Sequence, residues 1–298
     1  MKLFKKILDK NDLKVDKYTM KGKTMIVNTP LGQFALKKGN LDNIYKYLLS
    51  RNFEYFPKVI DSNEDSTIYE FVDDVKYDNE QRAFDLIHTI ALLHSKTTYY
   101  KDVDIDEYKK IFEETIEKIN YIYNYYMDVI NIIESKIYMS PSEYLIARNI
   151  SKIFSCIYFC KNELEQWYEI VKNEKRKRVV TLHNNLKLDN IIRNKSVYLI
   201  GWEYSKIDSP IYDFINFYNK YALYFDFRSL LNEYERIFPF KEEEKKLLSV
   251  LISIPSKIPN TEKEYNKVKN VRQLLDKIYK TEMLLTPKEK EETKSTQK

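Results

Sequence analysis

The hydrophobic pattern of the chain changes once, near Asp73 and Asp74, and this change restricts the fold more than any other feature. Before it, short apolar runs bounded by turn residues predict four strands, at 24–28, 33–37, 58–61 and 67–72. A single amphipathic helix is predicted between the second strand and the third. After the change, apolar residues recur every three or four positions, which is typical of helices. The sequence therefore predicts an α+β protein with a small β-rich N-terminal part and a large helical part.

The helical part contains one strong signal for the start of a helix and several long stretches in which apolar residues recur at helical spacing. Ser140, Pro141 and Glu143 match an N-cap, a proline in the first turn and a capping box. Helical spacing of apolar residues predicts further helices at 83–94, 111–133, 221–227, 241–254 and 265–278. The basic residues 175–178 are interpreted as the solvated end of a helix, with a phosphate or nucleic-acid role as the alternative.

These patterns predict three regions along the chain. Residues 1–74 form the β-rich region, with hairpins and one helix, and residues 75–285 form the helical region. A short hairpin is predicted inside the helical region, at 179–203. Residues 286–298 have almost no apolar side chains and are predicted to be a disordered tail.

Composition excludes several classes of protein. Hydrophobic residues make up 43% of the 298 residues and charged residues 32%, which fits neither a disordered chain nor a membrane bundle. The formal net charge is only +5, so binding to nucleic acid would need a local basic patch and is not expected. The chain contains only four glycines, which excludes a site built from a glycine-rich phosphate-binding loop.

Targeting and redox signals favour a soluble cytoplasmic protein. Charges interrupt the first ten residues, so no signal-peptide core is present, and the longest apolar run, 247–254, is far shorter than the ~20 residues that a membrane helix needs. Cys156 and Cys160 lie four residues apart on one helical face. Two cysteines supply too few ligands for a metal site, and we interpret them as reduced, buried thiols.

One polar segment interrupts the helical region. Residues 183–190 spell His-Asn-Asn-Leu-Lys-Leu-Asp-Asn and lie between two short β-like segments, 179–182 and 197–200. Polar groups in a buried hairpin cost free energy, so their concentration here indicates a functional site.

This segment resembles the catalytic loop of the aminoglycoside phosphotransferase and choline kinase branch of the protein-kinase-like fold, and within it the spore-coat CotS-like proteins. That loop has the form His-Gly-Asp-Leu-x-x-x-Asn and is followed, after a hairpin, by Ile-Asp-Trp-Glu. Here the matching segments are 183–190 and Ile-Gly-Trp-Glu at 200–203, and residues 208–214 resemble the Pro-x-x-Asp-Leu segment of the family. The resemblance covers the chain up to about residue 285 and implies a two-lobed fold.

The differences from the family pattern fall on its two essential carboxylates. The loop Asp of the family accepts the proton of the substrate hydroxyl, and Asn185 stands at its position. An amide can hold a hydroxyl but cannot take its proton near neutral pH. The second Asp of the family binds Mg²⁺, and Gly201 stands at its position with no side chain to offer.

Other loop residues match the family without restoring these groups. Asn190 corresponds to the metal-binding Asn, which makes it a vestigial ligand because one neutral oxygen poorly replaces a carboxylate. His183 corresponds to a histidine that fixes the loop through backbone contacts, and Asp213 to an acid that anchors the loop from below. Glu203 could in principle reach a metal from two residues beyond Gly201.

The N-terminal strands resemble the nucleotide-binding half of the family. Lys37 corresponds to the lysine that pairs the α- and β-phosphates, although a shift of one residue would turn Lys38 inward instead. The helix that follows lacks the expected Glu partner and offers only Asp42. Glu70 and Val72 would flank the hinge, whose backbone could hold adenine.

Loss of both carboxylates within a retained architecture is typical of a pseudokinase. The first hypothesis is a catalytically degenerate protein that binds a protein partner, with no cofactor, in the cytoplasm or at the forming spore coat of a sporulating bacterium. The alternative is an active phosphotransferase that acts on a small-molecule hydroxyl with ATP and Mg²⁺ through displaced residues. Nucleic-acid binding through residues 175–178 is a third hypothesis.

Overall fold

The computed structural model describes residues 4–259 and 261–286. An N-terminal antiparallel β-sheet is followed by a largely helical remainder, which confirms the α+β class predicted from the sequence. The predicted tail lies outside the described residues except for Thr286, which follows the last helix. Within the described ranges no helix is long and apolar enough to cross a bilayer.

The contacts divide the chain into two compact units. Among the described residues, the first unit consists of those up to 102 together with 176–217 and 229–240. The second unit consists of 103–175, 218–228 and the described residues from 241 onward. The units do not follow chain order, and the domain boundary expected at residue 74 stays a prediction.

The first unit begins with a helix and a five-stranded sheet in the order β1-β2-β3-β5-β4. All neighbouring strands are antiparallel. The two helices and five strands are α1 (Lys5–Lys10), β1 (Lys17–Lys21), β2 (Thr24–Thr29), β3 (Gly32–Lys38), α2 (Asp42–Ser50), β4 (Val59–Ser62) and β5 (Ser66–Glu70).

Side chains alternate strictly between the two faces of this sheet. Met25, Val27, Leu36 and Ile68 point to one face and pack in a cluster that includes Ile7 of α1. Because successive residues of a strand point to opposite faces, the neighbours of these residues in sequence line the other face. That second face carries the candidate site.

The remainder of the first unit brings together segments that are far apart in sequence. Strand β7 lies between β6 and β10 in a three-stranded sheet, and β8 and β9 form a separate hairpin. The elements are α3 (Asn79–Thr97), β6 (Tyr99–Asp102), β7 (Arg176–Leu182), β8 (Ile191–Arg193), β9 (Val197–Leu199), β10 (Lys206–Asp208) and most of α6 (Ile211–Tyr221) and α7 (Phe227–Ile237).

Two predicted helical segments are wrong. Residues 176–178 begin strand β7 because β6 supplies a pairing partner, with Arg176 opposite Asp102 and their side chains 2.9 Å apart. Residues 222–226 form the connection between α6 and α7. Asp226 accepts a hydrogen bond from the Arg228 N–H at 3.0 Å, so a helix starts here rather than continues.

The second unit is a helical assembly in which α5 (Pro141–Val171) packs against three others, namely α4 (Ile105–Glu134), α8 (Glu242–Ser253) and α9 (Glu264–Leu285). The predicted capping box is confirmed at the start of α5. Glu143 accepts from the Ser140 N–H at 2.9 Å, and the Ser140 hydroxyl accepts from the Glu143 N–H at 3.4 Å.

Candidate functional site

The polar segment 183–190 is held in place from both ends and from α3. It leaves β7 at Leu182 and enters the β8–β9 hairpin at Ile191. Arg82 of α3 donates to the carbonyl oxygens of Leu188 and Ile191 at 3.2 and 3.1 Å, and its guanidinium also pairs with Asp74. Because Arg82 is largely buried, these contacts fix the backbone of the segment.

A buried hydrogen-bond chain anchors the start of the segment. The fully buried carboxylate of Asp213 accepts from the backbone N–H groups of His183 and Asn184 at 2.8 and 2.7 Å. It also accepts from His94 Nε2–H at 3.3 Å, and His94 Nδ1 in turn accepts from the Tyr234 hydroxyl at 2.6 Å. A carboxylate has no hydrogen to donate, so this tautomer of His94 follows. The carboxylate of Asp213 therefore holds the backbone at the start of the segment 183–190.

His183 faces the protein interior. Its Nε2–H donates to the Ile200 carbonyl oxygen at 3.0 Å, and its ring packs edge-on against Trp202 at 4.9 Å. Burial lowers the pKa of His183 although the Asp213 carboxylate opposes the shift, so the ring is neutral near pH 7. These contacts support the expected role of His183 in fixing the loop.

Asn184 adopts a left-handed backbone conformation, with φ at 55°. Asparagine is among the few residues that tolerate this region. Its side chain joins two neighbours, donating to the Tyr204 carbonyl oxygen at 3.2 Å and accepting from Asn216 at 3.2 Å. The sharp backbone turn therefore directs the next residue, Asn185, toward Gly201.

Two side-chain amides close over Gly201, at the position where the resembled family has a metal-binding Asp. Gly201 has φ 89° and ψ 43°, and a Cβ atom added to it would lie 3.0 Å from Asn190 Nδ2 and 3.2 Å from Asn185 Nδ2. Asn190 Nδ2 donates to the Asn185 carbonyl oxygen at 2.7 Å, which fixes the orientation of that amide. We call Asn185, Asn190 and Gly201 the amide cluster.

Lys37 lies on the second face of the sheet and forms an ion pair with Glu203. The Nζ to Oε1 distance is 2.9 Å, and the side chains are 19% and 34% exposed. Partial burial is the largest single influence on Glu203 and disfavours its charged carboxylate. The hydrogen bond and positive charge of Lys37, together with a backbone hydrogen bond, outweigh it, so the pKa of Glu203 is lowered. Lys38 points to the other face and is exposed, which answers the question of register.

Helix α2 supplies a buried aromatic residue, rather than an acid, to the sheet face that carries Lys37. Tyr45 of α2 is buried and packs edge-on against Tyr69 at 5.7 Å, and Tyr69 is opposite Ala35 in the strand that carries Lys37. The acid that pairs with Lys37 comes instead from the segment after Gly201.

The other carboxylates of this region do not replace the missing ligand. Asp189 is exposed, and Asp208 pairs with Lys206 at 3.0 Å. Among residues 4–259 and 261–286, no group of three His, Cys, Asp or Glu side chains could hold a metal ion. The donor set of the amide cluster therefore does not fit Mg²⁺, which prefers carboxylate oxygens.

Two backbone N–H groups of the expected hinge already form hydrogen bonds within the protein. Glu70 N–H donates to the Lys58 carbonyl oxygen at 2.9 Å, and Phe71 N–H donates to the Gln33 carbonyl oxygen at 3.3 Å. Val72 is half-buried just beyond them. The assignment of Glu70 and Val72 to a nucleotide site stays a prediction.

Sequence patterns did not indicate three residues that shape this site. Tyr45 lies on a predicted helix and Arg82 directly before one, but nothing in the local sequence indicates what their side chains contact. His94 lies on the predicted helix 83–94, but nothing in the local sequence indicates that it links Tyr234 to Asp213.

Comparison with known proteins identifies the fold. No family model matches the chain, and no curated protein is similar to it in sequence. A solved aminoglycoside phosphotransferase from Alicyclobacillus acidocaldarius subsp. acidocaldarius has a TM-score of 0.62 at 10% identity, covering 91% of this chain and 90% of that one.

Choline kinase LicA from Streptococcus pneumoniae has a TM-score of 0.48 at 15% identity, covering 94% of this chain and 99% of that one. At such low identity a likeness concerns the fold alone. The chain has the protein-kinase-like fold of the Alicyclobacillus aminoglycoside phosphotransferase.

Proposed function

We propose that this protein is a pseudokinase, which retains the phosphotransferase fold but transfers no phosphate and acts by binding another protein. The observation that carries this proposal is the amide cluster, in which two neutral side chains fill the position of a metal-binding carboxylate. The same cluster supplies Asn185 where a base is needed.

Loss of the general base and loss of the metal ligand are each expected to lower the rate of phosphate transfer strongly. A positioned general base contributes about 10²–10⁴-fold to a reaction of this kind. A bound metal contributes several kcal/mol of charge stabilisation to the transition state. The two effects are separate, so a chain that lacks both falls far below the turnover of an active kinase.

The alternative, an active phosphotransferase with displaced residues, depends on Glu203. This acid is close in sequence to Gly201 and is about one third exposed, so it is the one candidate for a replacement ligand. Its engagement with Lys37 counts against that role. We therefore retain the alternative only as an outcome of the experiment below.

The experiment is an assay of phosphate release and transfer with Mg·ATP. Purified protein is incubated with Mg·ATP alone and with an aminoglycoside or choline, and Lys37→Met serves as the control for contaminating enzymes. We expect wild type and Lys37→Met to be indistinguishable. Activity of wild type clearly above that of the variant would establish the alternative.

A surface of the second unit supports the protein-binding part of the proposal. Ile137 and Tyr138, in the connection between α4 and α5, are 91% and 87% exposed. Neighbouring apolar side chains that are exposed to this degree are typical of interaction sites. We propose that this connection contacts an apolar surface of the partner protein.

This part is tested by crosslinking in cells of the source organism. Ile137→Ser/Tyr138→Ser is compared with wild type, and Tyr265→Ser, at a residue 79% exposed on α9, is the matched control. We expect one crosslinked partner to be lost from the double variant and kept by the control. An identical set of crosslinks in all three proteins would contradict the assignment of this surface.

A role at the spore coat follows from the family resemblance alone, and we propose it as the cellular setting. A tagged protein should fractionate with the coat of mature spores. Uniform distribution in the cytoplasm throughout sporulation would refute this setting and leave the biochemical proposal intact.

A further inference from the structure

Strand β1 forms one edge of the five-stranded sheet, and in the part of the chain that the structure describes no strand pairs with its outer side. All of its residues, 17–21, are exposed. The opposite edge strand, β4, is irregular, with a shift in register next to Asp61, and Asp61 is engaged by Lys10 and Asn11 at 2.8 Å each. Such irregularities and contacts protect an edge strand from pairing. β1 instead keeps an unbroken register with β2, so its outer side is regular enough to pair with a further strand.

The backbone groups of β1 point alternately to β2 and to solvent. A two-residue turn joins the two strands, so Lys21 at its base exchanges hydrogen bonds with β2. Hydrogen-bonded positions alternate with non-bonded positions along an antiparallel pair. Thr19 therefore also bonds to β2, whereas the N–H and C=O groups of Tyr18 and Met20 point outward. These groups are available to the backbone of an added strand.

The side chains of β1 divide into an apolar face and a basic face. Tyr18 and Met20 lie opposite two buried residues of β2 that pack in the cluster with α1. They extend this apolar face beyond the cluster and are 49% and 56% exposed. Lys17 and Lys21 point to the other face and are also exposed.

Charge decides which kind of strand can pair with β1. Residues 14–23 contain four lysines and one acid, Asp16. Two copies of β1 paired antiparallel about Thr19 would place Lys17 opposite Lys21 twice, and like charges in opposite positions destabilise a sheet. A second copy is therefore disfavoured, and a strand with acidic residues at these positions is favoured.

We propose that β1 accepts an extended segment of a partner protein, with the pattern acid–apolar–any–apolar–acid, as an additional antiparallel strand. The apolar side chains of this segment pack on Tyr18 and Met20, and its acids pair with Lys17 and Lys21. The inference goes beyond the proposed function, because it assigns a binding surface on the first unit. It holds whether or not the protein transfers phosphate.

The test is fluorescence anisotropy with labelled peptides that contain the core Glu-Val-Thr-Val-Glu. We expect saturable binding, roughly tenfold tighter than that of the block peptide Val-Val-Thr-Glu-Glu, which has the same composition without the alternation. N-methylation of both valines, which lie opposite Tyr18 and Met20, should abolish binding. N-methylation of the threonine, whose N–H points away from β1, should leave binding unchanged.

Three outcomes of the peptide experiment would overturn the proposal. The first is absence of binding by the alternating peptide. The second is equal binding of the alternating and block peptides, which would show attraction by charge alone. The third is binding that survives N-methylation of the valines, which would exclude strand addition.

Variants of the protein test the same surface. Met20→Pro removes an outward N–H at an edge position that tolerates proline, and it should abolish binding. Met20→Ala, its matched control, should weaken binding only by roughly two- to fivefold. Lys17→Glu/Lys21→Glu should weaken binding by roughly tenfold and create binding of a Lys-Val-Thr-Val-Lys peptide. Lys5→Glu/Lys6→Glu, the same change of charge at exposed residues of α1, should do neither, and equal effects of the two double variants would contradict the proposal.

Sedimentation velocity tests the other occupant of this edge, a second copy of the chain. We expect Met20→Pro to leave the association state of the protein unchanged. A dimer of wild type that is lost in Met20→Pro would show that β1 pairs with itself, which would overturn the assignment to an acidic partner.

Discussion

Replacement of Gly201 by alanine tests the geometry on which the account depends. The backbone at Gly201 has φ 89° and ψ 43°, a region that costs an L-residue about 1–2 kcal/mol. The new Cβ atom would also lie 3.0 Å from Asn190 Nδ2. Displacing that amide weakens its 2.7 Å hydrogen bond to Asn185, which adds about 1 kcal/mol.

Gly22 provides a matched control for this experiment. It also has a positive φ, 59°, but a Cβ atom there would meet nothing within 4 Å. Gly22→Ala should therefore cost only the backbone strain. In thermal denaturation we expect wild type to melt highest and Gly201→Ala lowest, with about 2 °C between the two variants. If Gly201→Ala melts at or above Gly22→Ala, the amides do not close over Gly201.

Three further predictions concern stability. The Lys37–Glu203 pair should stabilise the protein above the ordinary glutamate pKa of 4.5 and lose this effect as the pH falls through the lowered pKa of Glu203. The excess melting temperature of wild type over Glu203→Gln should therefore shrink as the pH falls below 4.5, and an excess that stays constant on acidification would contradict the pairing. Tyr234→Phe should cost about 1–3 kcal/mol in urea denaturation because His94 Nδ1 loses its buried donor, whereas a neutral effect would exclude this link. Ser140→Ala should cost about 1 kcal/mol in the same assay by removing the cap of α5, and an unchanged midpoint would count against the capping box.

Local patterns were sufficient for much of the fold. The alternation of residues 24–28 and 33–37 predicted β2 and β3 because one face of the sheet packs on α1. Ser140, Pro141 and Glu143 predicted the start of α5 because a capping box is formed within four residues.

Segments whose structure depends on a distant partner could not be predicted in this way. Residues 176–178 are charged and follow a helix, so their local pattern indicated a helix end. They form a strand because β6, more than seventy residues earlier, pairs with them. The intrinsic preference of these residues for helix or strand is weak, so pairing with a distant strand decides their secondary structure.

The site shows the same limit. The spacing of residues 183–190 and 200–203 placed the loop next to a hairpin, which the structure forms from β8 and β9. The hairpin predicted at 179–203 is wrong in its pairing, because β7 pairs with β6 and β10 instead. The partner of Lys37 is 166 positions away in sequence, and no local feature of Glu203 indicates it. The approach of the Asn185 and Asn190 amides to Gly201 also depends on the backbone angles of Gly201, which cannot be read from the sequence.

The most direct test of the central claim is a single-turnover experiment with protein in excess over radiolabelled ATP and saturating Mg²⁺. Because every ATP molecule can then be bound, even one slow transfer of the γ-phosphate would be detected. The account predicts that the label stays on ATP at the rate of the protein-free control. Release or transfer of label faster than that control, and absent from Lys37→Met, would contradict it.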